Sequence, residues 1–272
     1  MGNPEGGPVS FEHDQGRVFD SVDHIGMFGR ALRRTGKPVV LVPLGTGLHA
    51  GHIAMIRAAK RIPGAVVVVA YAGPAEDHER IREERIDALF TYTDEMMWPG
   101  GIRTGVDASI GMDVGEAVTR VLGLVGATAA SDVVLGEKDY AQVVAVQRAI
   151  RDLHLPVKLH SVPTVRMPDG LAISLRNTRI PAADRERATA IAAALTAGAH
   201  SAEHGAATVL ETTRGVLEAA DVTPDHLELR GLDMGPAPEV GDARLFVAVT
   251  LGDVLLTDNV GLPLGIGFKN IE

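Results

Sequence analysis

Val39-Val40-Leu41-Val42 and the run from Ala65 to Tyr71 are unbroken aliphatic stretches rather than alternating ones. A strand with one wet face alternates apolar and polar side chains. A strand that is apolar at every position must be covered on both faces, which is the condition of a parallel sheet between helical layers. The intervening segments agree. Val18, Val22, Ile25, Phe28 and Leu32 step at helical spacing, and Gly36-Lys37-Pro38 ends that predicted helix. Residues 49–61 and the acidic-basic residues 76–85 read as further helices. A helix over 114–125, a strand over 132–135, a helix over 140–153 and a strand over 157–162 continue the alternation. Strands separated by helices of this length imply right-handed βαβ crossovers, so the expected class is α/β with a parallel sheet.

After Asn177 the texture changes. Two Ala-rich helices, over 182–199 and 202–220, precede three short strands over 226–230, 244–250 and 254–258. The expected layout is a flexible arm over 1–16, an α/β domain over 17–174 and a smaller α+β domain over 175–272.

Composition narrows the function. With 272 residues, 46% of them hydrophobic, the chain buries a core without staples. The absence of cysteine excludes a disulfide framework, a thiol nucleophile and any cysteinyl metal site. The 35 acidic residues outnumber the 26 basic ones, giving a net charge of −9, which repels phosphate backbones and disfavours a nucleic-acid partner. Residues 1–17 lack the basic and apolar regions of a signal peptide. The longest aliphatic run is far below the roughly 20 residues a membrane helix needs. A soluble, cytoplasmic protein with no membrane partner is the expectation.

Parallel sheets bind ligands beyond the carboxyl ends of their strands. The segment after the first aliphatic run is Pro43-Leu44-Gly45-Thr46-Gly47-Leu48-His49-Ala50-Gly51-His52. Its glycines let backbone N–H groups approach an anion at a helix N-terminus. His49 and His52, three apart, share one face of the first turn, where imidazoles can donate hydrogen bonds to phosphate oxygens gaining charge. A dinucleotide site is a poorer reading, because the glycine spacing is unusual and Ala70-Tyr71-Ala72-Gly73 offers no acidic residue for a ribose. A zinc site fails for want of a third ligand. Helix-start decoration is the bland alternative.

A second segment, Leu135-Gly136-Glu137-Lys138-Asp139-Tyr140, places a lysine at a strand end, as a point charge for phosphate or carboxylate. Asp139 alone is readable as a helix cap. A third runs from Val162-Pro163-Thr164-Val165-Arg166 to Ile173-Ser174-Leu175-Arg176-Asn177, where Ser174 and Arg176 suit phosphate. A domain hinge explains them equally on local grounds. A fourth, residues 251–259, reads as purely structural, a hairpin turning at Gly252-Asp253.

Taken in order, Leu48-His49-Ala50-Gly51-His52, Gly136-Glu137-Lys138-Asp139-Tyr140, Val162 to Asn177, Leu227-Glu228-Leu229-Arg230 and Leu256-Thr257-Asp258-Asn259 resemble the motifs of the pantoate–β-alanine ligase family. Each motif is weak alone; the ordered set spans nearly the whole chain. The resemblance implies a Rossmann-like nucleotidyltransferase domain of the HIGH type, a small C-terminal lid and a homodimer. It implies ATP and Mg²⁺ as cofactors. The implied activity is an AMP-forming ligation of pantoate to β-alanine through an acyl-adenylate. By position, His52 would take the family's proton-donor place and His49 would hold phosphate beside it. Lys138 and Arg176 would offset phosphate charge. Gly45, Gly47, Gly51, Gly136, Asp139, Val165, Ile173 and Ser174 would complete the ATP site, and Gln142 would bind the acid. No protein-held metal is implied.

Departures from the family pattern fall on one side. Leu44-Gly45-Thr46-Gly47 replaces Thr-Met-Gly-Ala, and Leu175 replaces a serine. The family's Asn-Pro-x-Gln-Phe gives way to Tyr71-Ala72-Gly73-Pro74, and Met112-Asp113-Val114-Gly115 stands where a His-Phe-x-Gly-Val segment belongs. The ATP half is retained and the acid half rewritten. Three readings stay open: ligation of pantoate itself, adenylation of a different small carboxylic acid for an analogous amine, and nucleotide binding without catalysis.

Overall fold

The structure is a computed structural model that describes residues 11–267. Its first part carries β1 (Arg17–Phe19), α1 (Val22–Arg34), β2 (Val39–Leu44), α2 (Ala50–Lys60), β3 (Val66–Tyr71), α3 (His78–Glu83), β4 (Ala88–Thr91), α4 (Asp94–Met97), α5 (Gly115–Thr128), β5 (Asp132–Gly136), α6 (Tyr140–Asp152) and β6 (Lys158–Val162). The six strands form one sheet in the order β1-β4-β3-β2-β5-β6, every neighbouring pair parallel.

The aliphatic runs do what their composition requires. Val39 and Leu41 of β2 face a core that includes Ile25, Phe90 and Val146, whereas Val40 and Val42 face a second core with Ile56 and Leu89. Strand period two sends alternate residues to opposite faces, so covering both makes the whole run apolar. The strand β2 has β3 on one side and β5 on the other. The connection leaving β2 runs to β3 on one side and the connection leaving β5 runs to β6 on the other, so a crevice opens at the carboxyl ends of β2 and β5.

The second part holds α7 (Arg185–His200), α8 (Ala206–Ala219), β7 (His226–Gly231), β8 (Gly241–Leu251) and β9 (Val254–Leu264). The strands form an antiparallel sheet in the order β7-β8-β9. Its separate core includes Ile191, Leu195, Val209, Leu245 and Leu256 and also takes in Leu171, ahead of the expected boundary at residue 175. Among the described residues, no helix is long and apolar enough to cross a membrane.

Several element readings are corrected. The first helix starts at Val22, because Ser21 caps it by accepting the His24 N–H. Val18 instead pairs with Leu89 in β1. The strand β4 had no counterpart in the sequence reading, since four residues after a charged helix show no period. The strands β8 and β9 are longer than expected, 11 residues each. Residues 1–10 of the expected arm lie outside the described residues. At its end, Phe11 packs on Phe28, His13 Nδ1 lies 3.0 Å from Asp87, and the Gly16 N–H donates to Ile86.

Candidate active site

Three of the four singled-out segments lie at the carboxyl ends of β2, β5 and β6. After β2, the chain turns through Gly45 and Gly47 to His49, which is the N-cap of α2. Histidine is an uncommon cap, and here Nδ1 accepts the Gly51 N–H at 3.1 Å. Accepting at Nδ1 leaves the ring proton on Nε2. Gly51 is required for this pose, because a Cβ there would lie 2.9 Å from His49 Cε1. His52 stacks on His49 with ring centroids 3.7 Å apart and planes 20° from parallel.

This pairing governs protonation. Burial, and then the neighbouring His49, push His52 down to about 4. Burial and then Lys138 lower His49 as well, Asp139 opposing in part. Both rings are therefore neutral near pH 7 and act as N–H donors rather than as charges. The buried Nδ1 of His52 has no partner among the described residues.

Beyond β5, residues Glu137–Asp139 form one 3-10 turn leading into α6. Glu137 is anchored by Ser161 Oγ and Arg244, each at 2.8 Å. Burial opposes its ionisation, but the hydrogen bonds from Arg244 and Ser161 outweigh that and hold the carboxyl below its usual range. Beyond β6, Ile173 pairs back to Val165 through a 2.9 Å backbone bond. Ser174 then caps a second 3-10 turn by accepting the Arg176 N–H at 3.2 Å.

These segments wall one cleft of about 480 Å³. The connection after β2 contributes Gly45, Gly47, His49, Gly51 and His52 to its lining. Residues Gly136, Lys138, Asp139 and Gln142 contribute a second wall, and Val165, Ile173, Ser174 and Arg176 a third. Every site residue expected from sequence thus borders the same space. These three walls bring two imidazoles, one ammonium and one guanidinium together, which suits a polyanion, and Val165 and Ile173 offer it apolar surface. Leu175 also lines it and packs on the glycine loop, where a Cβ on Gly47 would fall 2.5 Å from Leu175 Cδ1.

Two features escaped the sequence reading. Tyr92 and the α5 residues Ala117, Arg120, Val121 and Leu124 form a further wall. Arg120 is held by Asp94 at 2.6 and 2.7 Å and by Glu116 at 3.0 Å, and it lies 5.1 Å from the Trp98 ring centroid. The i,i+4 spacing of Glu116 and Arg120 was a visible signal for part of this. The second feature is carried by the hairpin over 251–259, which turns at Gly252-Asp253 as expected and whose sheet also reaches the loops of the cleft. Asp258 accepts from Arg166, Asn259 donates to the turn carrying Lys138, and Arg244 of β8 lies 3.7 Å from the Tyr140 ring centroid. Between this hairpin and α6 lies an adjoining cavity of about 520 Å³, which shares Arg120, Lys138, Asp139 and Gln142 with the cleft.

The family model described as pantoate-beta-alanine ligase matches residues 17–80 and 72–261. A pantothenate synthetase of Corynebacterium jeikeium (strain K411) is 38% identical over 97% of this chain and 95% of its own. One of Mycobacterium avium (strain 104) is 39% identical over 91% and 89%. Among solved structures, a pantothenate synthetase of Thermus thermophilus superposes with a TM-score of 0.77 at 30% identity, covering 90% of this chain and 98% of its own. The pantoate-beta-alanine ligase of Francisella tularensis, complexed with beta-gamma ATP and beta-alanine, has a TM-score of 0.70 at 23% identity, over 90% and 97%, and bears on the fold alone.

Proposed function

The chain belongs to the pantoate–β-alanine ligase family, and from that premise we propose that it joins pantoate to β-alanine at the cleft described above, with ATP as the activating substrate. In the first step a carboxylate oxygen of the acid attacks the α-phosphorus. The bond from that phosphorus to the bridging β-phosphate oxygen breaks, and pyrophosphate leaves. In the second step the free amine attacks the acyl carbonyl, the bond to AMP breaks, and the amine sheds a proton as the amide forms.

Neither step needs a covalent nucleophile, so this chain's contribution is positioning and charge stabilisation. His49 offers Nε2–H to a phosphate oxygen, because its Nδ1 is committed to Gly51. His52, in the family's proton-donor position, stabilises the departing pyrophosphate beside it. Lys138 and Arg176 neutralise phosphate charge from two other loops, and Ser174 adds a hydroxyl. Gly45 and Gly47 let the main chain approach the nucleotide, and Gln142 meets the acid. Asp139 is the carboxylate among the lining residues. That donor set fits a Mg²⁺ ion held chiefly by triphosphate oxygens and water, which would neutralise phosphate charge. A cytoplasmic homodimer completes the proposal; light scattering on the purified protein tests its assembly.

The observation that carries this reading is the convergence of His49, His52, Lys138 and Arg176, from three separate strand ends, on one cleft. Nucleotide binding without turnover has no use for all four. The second reading, a different small carboxylic acid, is favoured by one observation: α5, which begins at the departure over 112–115, presents the cation Arg120 to the cleft. Pyrophosphate release with ATP and a panel of acids separates these readings. Release with pantoate, followed by pantothenate formation on adding β-alanine, supports the first. Release with another acid only supports the second, and ATP binding without release under any acid overturns both.

A further inference from the structure

The turn that carries Lys138 has little to hold it from within. It is three residues long, and no side chain caps it at Gly136. The carbonyls of Glu137 and Lys138 are both satisfied by a single group, the side-chain amide of Asn259 on β9 of the other sheet. Nδ2 of Asn259 donates to Glu137 O at 3.1 Å and to Lys138 O at 2.9 Å. An amide nitrogen has two hydrogens, and both are committed here.

The orientation of that amide is dictated by its surroundings. Asn259 is 4% exposed, and its Oδ1 has no partner among the described residues. Reversing the amide would aim an oxygen at two carbonyl oxygens. Leaving a buried oxygen unpaired is unfavourable, and the two bonds to the turn offset it. The same dipeptide reaches the third loop. The Asn259 N–H donates to Asp258 at 2.8 Å, and Asp258 in turn receives Arg166 of the segment leading to Ser174 and Arg176. Attachment of the turn to the C-terminal sheet does not require Asn259, because Arg244 already pairs with Glu137 at 2.8 Å. What Asn259 adds is control of the main chain on either side of the Lys138 Cα.

We propose that Asn259 is a positioning residue for Lys138, setting from the C-terminal sheet the direction in which the ammonium enters the phosphate cleft. This rests on the ligase reading only in taking Lys138 as a phosphate-binding group. Acid-dependent pyrophosphate release by the unaltered protein tests that reading separately.

The experiment is a double-mutant cycle. Affinity for α,β-methylene-ATP is measured by calorimetry, alongside kcat and KM for pyrophosphate release. Asn259→Ala is expected to weaken analogue binding and lower kcat about tenfold, with the KM for the acid unchanged. In a Lys138→Ala background it is expected to change analogue affinity no further. An equal loss in both backgrounds, or wild-type binding and turnover in folded Asn259→Ala, overturns the proposal. Should the alanine variant fail to fold, Asn259→Asp keeps the size but cannot donate to the carbonyls, and it is read in the same way. Failure of both variants to fold would make Asn259 cement rather than a positioning group, and would equally overturn it.

Discussion

Substituting His52 with glutamine should remove part of the pH dependence of stability. In the folded chain burial and His49 hold its pKa at about 4, against about 6.5 for an unfolded histidine. The unfolded state therefore takes up the proton first as pH falls. Stability contributed by the neutral ring is complete above about pH 6.5 and is lost progressively down to pH 4. At about 1.4 kcal/mol for each pH unit separating the two pKa values, the full loss is about 3 kcal/mol, of which about 2 kcal/mol falls between pH 7 and pH 5. His52 is half-buried, so these are upper figures. For a chain of this size, 2 kcal/mol corresponds to a fall in Tm of about 4–8 °C. Other groups titrate over the same range, His49 among them, so the informative quantity is a difference. Scanning calorimetry at pH 7, 6 and 5 should show a Tm curve several degrees flatter for His52→Gln than for the unaltered protein. Parallel curves would show that the ring is not held neutral by its surroundings, and the electrostatic account of the stacked pair would fall.

Three other outcomes follow from the same geometry. His52→Ala should abolish detectable adenylate formation, followed as pyrophosphate release, while circular dichroism stays native; unchanged turnover would remove its assigned role. Gly47→Ala should raise the KM for ATP, because the new Cβ meets Leu175 Cδ1 at 2.5 Å, and Leu175→Ala in the same chain should restore it. Arg166→Met should destabilise the protein by about 2–4 kcal/mol, measured by urea unfolding, because it strands the carboxylate of Asp258, only 3% exposed. A loss below about 0.5 kcal/mol would mean that the pair is no more than a surface contact.

Much of the site was legible because its signals are local. Strand period, the three-residue spacing of His49 and His52, and a lysine directly after an apolar run all depend on neighbours within one turn or one pleat. Those features identified the doubly covered strands β2 and β3 and singled out His49, His52 and Lys138; Val165, Ile173 and others of the expected nucleotide set came from the family resemblance. The two shortest strands of the sheet were harder. In β1 and β4, three and four residues leave no readable period, and pairing with each other and with β3 decides their conformation. Nor was Arg120 distinguishable from any exposed helical arginine before α5 folded against the cleft. Asn259 read as hairpin filler because its partner carbonyl on Lys138 is 121 residues away. Local chemistry therefore determined which groups could meet a phosphate. Tertiary structure alone decided that they border the same cleft, and what contacts the turn carrying the lysine, because those contacts join strand ends and loops that only the packing of two sheets brings within hydrogen-bonding range.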